Sequence, residues 1–399
     1  MRIARTNTYV WLFVGALVLA GVLFLSNNEP AISQENLSCE DPFEGQDVRF
    51  SPNGWTTDFC QRSIEFGEVL SGGVPRDGIP PIDNPEFDSI ATASEWLQSQ
   101  SPVVIVTVDD ITRAYPLAIM TRHEIVNDNF GDVPVAVTYC PLCNSAIAFI
   151  RQIDDVTLRM GVSGNLRNSD LIMWDDVTES WWQQLTGEGI VGEHTGRQLE
   201  LVPTQLFSFG AFVEQFPDSE VLSPGLRSYG SNPYVGYDSS ANPFLFIGEI
   251  DERLFAVDRV LAGRIDGQPM AYSFNSLADE FVINDTVAGT DVVAFWQPGV
   301  ASAMDARDID ASRDVGMAAL FNRELDGQTL TFLVGEDGVI RDEETSTEWN
   351  VFGTALSGEL EGSQLRQQLF SPHFWFAWAA FFPETPVYID GAIVEADME

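Results

Sequence analysis

The sequence contains no lysine and few side chains of the kinds that usually bind anions. All 20 of its basic residues are arginines, against 60 Asp and Glu, and the net charge is −40. Nucleic acid is therefore not an expected partner, because its binding depends on neutralising phosphates with Lys and Arg. The charge predicts a solvated acidic surface of the halophilic type, with a cation-binding surface as the alternative.

Several motifs of catalysis and cofactor binding are also missing. The sequence has no GxxxxGK[ST] phosphate loop, no GxSxG elbow, no HExxH and no CxxCH. We therefore expect neither a nucleotide nor a haem cofactor. The sequence is 45% hydrophobic, including 11% aromatic residues. The chain can therefore bury hydrophobic cores and is not expected to be disordered.

The most uniformly apolar segment lies at the N-terminus. Arg2 and Arg5 precede an uncharged run from Tyr9 to Leu25, which predicts a signal sequence or membrane anchor in residues 1–33. A retained anchor is the favoured interpretation. The arginines would then lie on the inner side, and the body of the protein would be extracytoplasmic.

Residues 34–100 are rich in Pro and Gly and are expected to wrap the following domain. Cys39 and Cys60 lie in this segment. Outside the cytoplasm such a pair is expected to form a disulfide, two unpaired thiols being the alternative.

From residue 101 onward the sequence predicts a β-rich α+β fold. Apolar runs and alternating patterns indicate strands, and the best helical segments are 115–127 and 206–216. Four blocks of residues 101–222 recur in order within residues 250–399; for example, AYPLAIMTRHEIVND matches AYSFNSLADEFVIND. This repetition predicts two diverged tandem copies of one domain, joined by a connecting loop at 223–249.

The main chemical signature is a C-x-x-C pair that only the first copy has. Cys140 and Cys143 follow the apolar strand VPVAVTY, and the block alignment places Trp296 and Gly299 opposite them. Two residues between the sulfurs allow them to bind one metal ion, to close a small disulfide or to act as a redox pair.

His123, opposite Glu280, is the predicted third ligand. Two sulfurs and one imidazole nitrogen suit copper or zinc, and copper is favoured. Further candidates are Met120 as a weak axial ligand, His194 as a reserve ligand, and Arg167, Asn168 and Asp170 at the tip of a loop that is shorter in the second copy.

The segments TYCPLCNSAIAF, VSGNLRNSDLIMWD and ESWWQQLTGE resemble a family of exported bacterial and archaeal proteins known as domain of unknown function 3179. The resemblance extends from Gly72 to Tyr388 and includes RDGIPPIDNP and HEIVND. It implies that the TYCPLC cysteines of the family are Cys140 and Cys143, and that its histidine is His123. It implies no particular activity.

Three functions are compatible with these patterns. The first is a membrane-tethered extracytoplasmic protein that binds a transition metal through Cys140, Cys143 and His123. The second is a thiol–disulfide oxidoreductase that uses the same cysteines, although no thioredoxin-like βαβ pattern accompanies them. The third is a non-enzymatic surface protein in which a disulfide between these cysteines stabilises a turn. Because the three functions differ in this respect, the sequence does not decide whether the protein is an enzyme.

Overall fold

The structure is a computed structural model that describes residues 39–227 and 229–396. The chain divides into two units at residue 40, and the second, which begins at residue 41, is compact. The predicted signal or anchor segment lies outside the described residues. Within the part that is described, no helix is long and apolar enough to cross a membrane. The predicted disulfide between Cys39 and Cys60 is confirmed.

The second unit is β-rich, as predicted, with 40% strand and 12% helix in the structure. The elements before residue 101 are β1 (Val69–Ser71), β2 (Phe87–Ser89) and α1 (Ile90–Ala93). The first half then contains β3 (Pro102–Val108), β4 (Ile111–Pro116), α2 (Leu117–His123), β5 (Ile125–Phe130), β6 (Val133–Cys140), β7 (Ser145–Ile150), β8 (Gln152–Ile153), β9 (Val156–Thr157), β10 (Met160–Arg167), β11 (Asp170–Asp175), β12 (Trp181–Gln183), β13 (Gly189–Val191), β14 (Glu200–Val202), β15 (Thr204–Ser208), α3 (Phe209–Gln215) and β16 (Glu220–Leu222).

The second half has a parallel set of elements. These are β17 (Arg259–Ile265), β18 (Gln268–Ser273), α4 (Phe274–Glu280), β19 (Val282–Val287), β20 (Thr290–Gln297), β21 (Met317–Asn322), β22 (Glu324–Leu325), β23 (Gln328–Thr329), β24 (Phe332–Val334), β25 (Ile340–Asp342), β26 (Glu348–Trp349), β27 (Ala355–Ser357), β28 (Phe370–Phe374), α5 (Trp375–Phe381), β29 (Val387–Ile389) and β30 (Ala392–Val394). Single turns of 3₁₀ helix occur at Phe66–Glu68, Pro141–Cys143, Tyr237–Ser239 and Ile309–Ala311.

The strand order of the main sheets is closely similar in the two halves. In the first half the sheets run β15-β3-β4-β16-β2, β14-β7-β6-β5 and β1-β10-β11-β12-β13. In the second half they run β28-β17-β18-β29-β30, β19-β20-β21 and β24-β25-β26-β27. In both halves an antiparallel hairpin (β3–β4 or β17–β18) also has a parallel neighbour, β16 or β29.

The strand register relates positions in one half to positions in the other. Ile125 pairs with Thr138 in the β5–β6 hairpin, and Val282 pairs with Phe295 in the β19–β20 hairpin. Neither hairpin contains a bulge, so the correspondence continues unchanged to the end of β6 and β20.

This register corrects the residues expected opposite the cysteines. Cys140 corresponds to Gln297, one residue beyond the partner assigned from the sequence. Cys143 has no single counterpart, because a longer segment connects β20 to β21 in the second half than connects β6 to β7 in the first. The second half contains no cysteine.

Buried polar contacts recur at equivalent places in the two halves. Tyr115 donates a hydrogen bond to Asp128 at 2.5 Å, and Tyr272 donates one to Asp285 at 2.9 Å. Two further pairs of contacts recur: the Asn127 and Asn284 amides bond to Met160 and Phe332, and the Trp182 and Trp349 indoles donate to Asp175 and Asp342. These hydrogen bonds therefore belong to the architecture that the two halves share.

The connecting segment, residues 223–249, is anchored by a buried ion pair. Asp238 is buried and lies 3.1 Å from Arg259 and 2.8 Å from Arg313, both in the second half. The same segment contacts the first half, where the Tyr237 hydroxyl donates to the Leu142 carbonyl at 3.1 Å. The connecting segment is thus held beside the turn at residues 140–144, the cysteine turn.

Candidate metal centre

The cysteine turn connects two central strands. β6 ends at Cys140, one turn of 3₁₀ helix follows at Pro141–Cys143, and β7 begins at Ser145. Proline suits the first position of this turn because its φ is already fixed and it needs no N–H donor. Asn144 closes the turn with φ 48°, a left-handed conformation that Asn tolerates better than most residues.

A hairpin from elsewhere in the chain reaches this turn. β10 and β11 are joined by Asn168 and Ser169, both with positive φ (53° and 65°), as a two-residue type I′ turn requires. The Ser169 carbonyl oxygen accepts from both thiols, with sulfur–oxygen distances of 3.8 Å for Cys140 and 3.5 Å for Cys143. The next residue is Asp170.

Three potential ligands meet at this point. The sulfurs of Cys140 and Cys143 and a carboxylate oxygen of Asp170 all lie within 4.8 Å of one another. All three side chains are buried. Asp170 Oδ2 accepts from the Gln183 amide at 2.6 Å and from the Leu185 N–H at 2.9 Å, whereas Oδ1 has no hydrogen-bond partner.

Other buried oxygens around the cluster also lack partners. They are Ser145 Oγ, Gln183 Oε1 and Gln184 Oε1. Ser145 is the strand partner of Cys140, and the Gln184 amide donates to the Ser145 carbonyl at 3.2 Å. Each unsatisfied buried polar group costs about 1–3 kcal/mol, and a bound ion is one way in which such groups are satisfied.

Burial also weakens the acidity of the cluster. It raises the pKa of the Cys140 thiol and raises that of the Cys143 thiol well above its usual value. It raises the pKa of Asp170 to about 6, and burial together with the Asp170 charge raises that of nearby Glu124 to about 8. A cation among these groups would favour their ionised forms.

A family model covers both halves of the described fold, from residue 76 to 385. The chain belongs to the family described as Protein of unknown function (DUF3179). The resemblance predicted from TYCPLC is therefore confirmed. No curated protein and no solved structure matches the chain.

In this DUF3179 protein the structure does not bring His123 into the cluster. Its Nδ1 lies 2.6 Å from the Pro80 carbonyl oxygen, and its Nε2 lies 3.1 Å from an Arg227 guanidinium nitrogen. Because a carbonyl only accepts and a guanidinium only donates, Nδ1 carries the proton and Nε2 is the acceptor. Both ring nitrogens are occupied by the protein itself.

Of the remaining candidates, Asp170 joins the cysteines, and the others make contacts elsewhere in the structure. Met120 is buried in the core, and the half-buried His194 ring lies 5.4 Å from that of Trp182. The Arg167 guanidinium is 2.7 Å from the Glu68 carboxylate. Asn168 forms the hairpin turn, so Asp170 is the loop candidate that joins the cysteines.

Sequence reasoning missed Glu124. This buried residue follows α2 with φ 58° and lines a cleft of about 500 Å³ beside the cysteine turn. Its equivalent in the second half is Phe281, with φ 62°. That difference between the halves was the available signal, but one acidic residue among 60 attracts little attention.

Proposed function

We propose that this protein binds one transition-metal ion through Cys140, Cys143 and Asp170. The observation that carries the proposal is the convergence of their ligand atoms within 4.8 Å, in a buried site where Asp170 Oδ1 has no protein partner. Thiolate and carboxylate are both ordinary metal ligands, and a bound cation would compensate the cost of burying them together.

The donor set favours zinc over copper. Copper was the better candidate with His123 as third ligand, since soft thiolates and imidazole suit it. A carboxylate oxygen is a harder donor, and Zn²⁺ accepts two sulfurs and one oxygen readily. Three protein ligands leave the fourth position of a tetrahedral ion for water or a substrate, an arrangement that catalytic zinc sites share.

The alternatives have less support. A reactive redox cysteine requires a lowered thiol pKa, usually from a neighbouring positive charge. Here burial raises the pKa of both thiols, and the carboxyl group of Asp170 raises it further. A disulfide that stabilises the turn is not favoured either, since Cys140 and Cys143 are free thiols directed at one carbonyl oxygen.

We further propose that the body is extracytoplasmic and tethered by its N-terminal segment. The Cys39–Cys60 disulfide supports this location, because disulfides persist in oxidising compartments. The proposal that the halves are diverged copies is supported by their similar sheets and their repeated Tyr–Asp contacts. Only one copy would then have the metal centre.

The test is metal content. We would purify the full chain in high salt with mild detergent under anaerobic conditions, and measure metals by elemental mass spectrometry beside a free-thiol count. The expected result is about one zinc per chain, lost in Cys140→Ser and in Asp170→Asn. His123→Gln is the matched control and should retain the metal. Wild-type protein that takes up neither zinc nor copper after anaerobic reconstitution would overturn the proposal.

A further inference from the structure

The geometry points to a second ligand site: we propose that the cleft beside the cysteine turn binds a small organic cation of the alkylammonium class, with Glu124 as its counter-charge. The proposal does not rest on the metal site, because Cys140, Cys143 and Asp170 do not line the cleft.

The cleft has the dimensions and chemistry of a small-molecule site. Its volume of about 500 Å³ falls in the range of about 300–1,000 Å³ that is usual for ligand pockets. Apolar side chains such as Ile79, Val162 and Leu171 line one part of it. The connecting segment contributes aromatic rings to the lining, from Tyr234, Tyr237 and Phe244.

The charge of the cleft is one-sided. Glu124 is the acidic residue among the described residues that line it, and none of those lining residues is Arg or His. The neighbouring Arg122 donates to the Ser231 carbonyl instead. Without a cationic partner this buried carboxyl group is costly to ionise, and a cationic ligand would favour its ionised form.

The aromatic rings add to the preference for a cation. A ring face attracts ammonium groups, by about 0.5–1 kcal/mol when exposed and about 2 kcal/mol when desolvated. Tyr237 is held in place because its hydroxyl donates to Leu142 and accepts from the Phe244 N–H at 3.3 Å. The Ser169 hydroxyl donates to the Phe244 carbonyl, and this hydrogen bond joins the β10–β11 hairpin to the connecting segment. The site is thus largely preformed.

Comparison of the halves shows that the fold does not require this carboxylate. Phe281 occupies the equivalent position with nearly the same φ, and its ring packs 5.2 Å from that of Trp296. An apolar residue therefore satisfies this backbone position. The carboxyl group of Glu124 is therefore explained by a cationic ligand in the cleft and not by the backbone conformation at this position.

The experiment compares choline with its uncharged carbon isostere, 3,3-dimethylbutan-1-ol, by calorimetry on the full chain in high salt. We expect choline to bind at least tenfold more tightly than the isostere. Glu124→Gln should reduce choline binding to the level of the isostere. Glu280→Gln, at the end of α4, is the matched control: it makes the same side-chain change at a residue that does not line the cleft, and it should bind choline like the wild type.

Three results would overturn the proposal: no choline binding up to 100 mM, equal binding of the isostere, or unchanged binding in Glu124→Gln. Glu124→Phe, which copies the second half, provides a second variant if Glu124→Gln folds poorly. Cys140→Ser should lose metal but keep choline binding, so failure of the metal proposal and failure of this one are distinguishable.

Discussion

Asp170→Asn should leave the metal-free protein at least as stable as the wild type but remove most of its stabilisation by zinc. Asn keeps the size of the side chain and an oxygen that can accept from Gln183 and Leu185, whose present distances are 2.6 and 2.9 Å. It replaces Oδ1, which has no partner, by an amide that can donate. Without metal we therefore expect an unfolding free energy that is unchanged or higher by about 1–3 kcal/mol.

With zinc present, the substitution should also remove most of the stabilisation that the metal provides. A ligand that binds only the folded state adds RT ln(1 + [L]/Kd), about 2.7 kcal/mol at a free zinc concentration 100 times the Kd. Loss of one protein ligand should weaken binding by at least about 100-fold, given that loss of a residue that merely supports a ligand already costs about 10–100-fold. At the same zinc concentration the stabilisation then falls to about 0.4 kcal/mol. For a unit of this length, the difference is about 3 °C in the unfolding midpoint.

The assay is denaturant unfolding followed by tryptophan fluorescence, with and without chelator, for wild type, Asp170→Asn and His123→Gln. We expect the zinc-dependent gain in wild type and in His123→Gln, but not in Asp170→Asn. An equal gain in Asp170→Asn would refute the assignment of Asp170 as a ligand. A gain lost only in His123→Gln would restore the histidine as the third ligand.

Three further variants test the fold. Tyr115→Phe removes the buried hydrogen bond to Asp128, so denaturant unfolding should show a loss of about 1.5–3 kcal/mol with zinc content unchanged. Burial lowers the pKa of His373 to about 3, from 6.5 in the unfolded chain, so its contribution to stability is complete above pH 6.5 and is lost as the pH falls towards 3. His373→Phe should flatten that dependence, and parallel pH profiles would contradict the assignment. Replacing Cys39 and Cys60 by Ser should cost about 3 kcal/mol by the chain-entropy model, and an unchanged midpoint would contradict it.

The sequence predicted the features that depend on local pattern. Alternating apolar residues indicated a β-rich chain, and the C-x-x-C turn was located because two cysteines so close in sequence must lie close in space. The helix expected at 115–127 is only Leu117–His123, since Ile125–Phe130 pair with β6 instead. Pairing with a distant strand overrides local helical preference, and a single sequence does not reveal it.

Tertiary structure decided which residue completes the site. His123 and Asp170 were both candidates, and neither is close to Cys143 in sequence. His123 is occupied by Pro80 and Arg227, from segments on either side of it in the chain. Asp170 reaches the cysteines because the β10–β11 hairpin folds against their turn.

The cleft beside the metal centre could not be predicted from the sequence either. Its lining comes from Glu124 just after α2, from the β10–β11 hairpin and from a connecting segment that a buried ion pair holds in place. Composition and spacing therefore determined the class of fold and the position of the two sulfurs. The third ligand and the Glu124 cleft depend on contacts between residues far apart in the chain, and only packing of the whole domain determines those contacts.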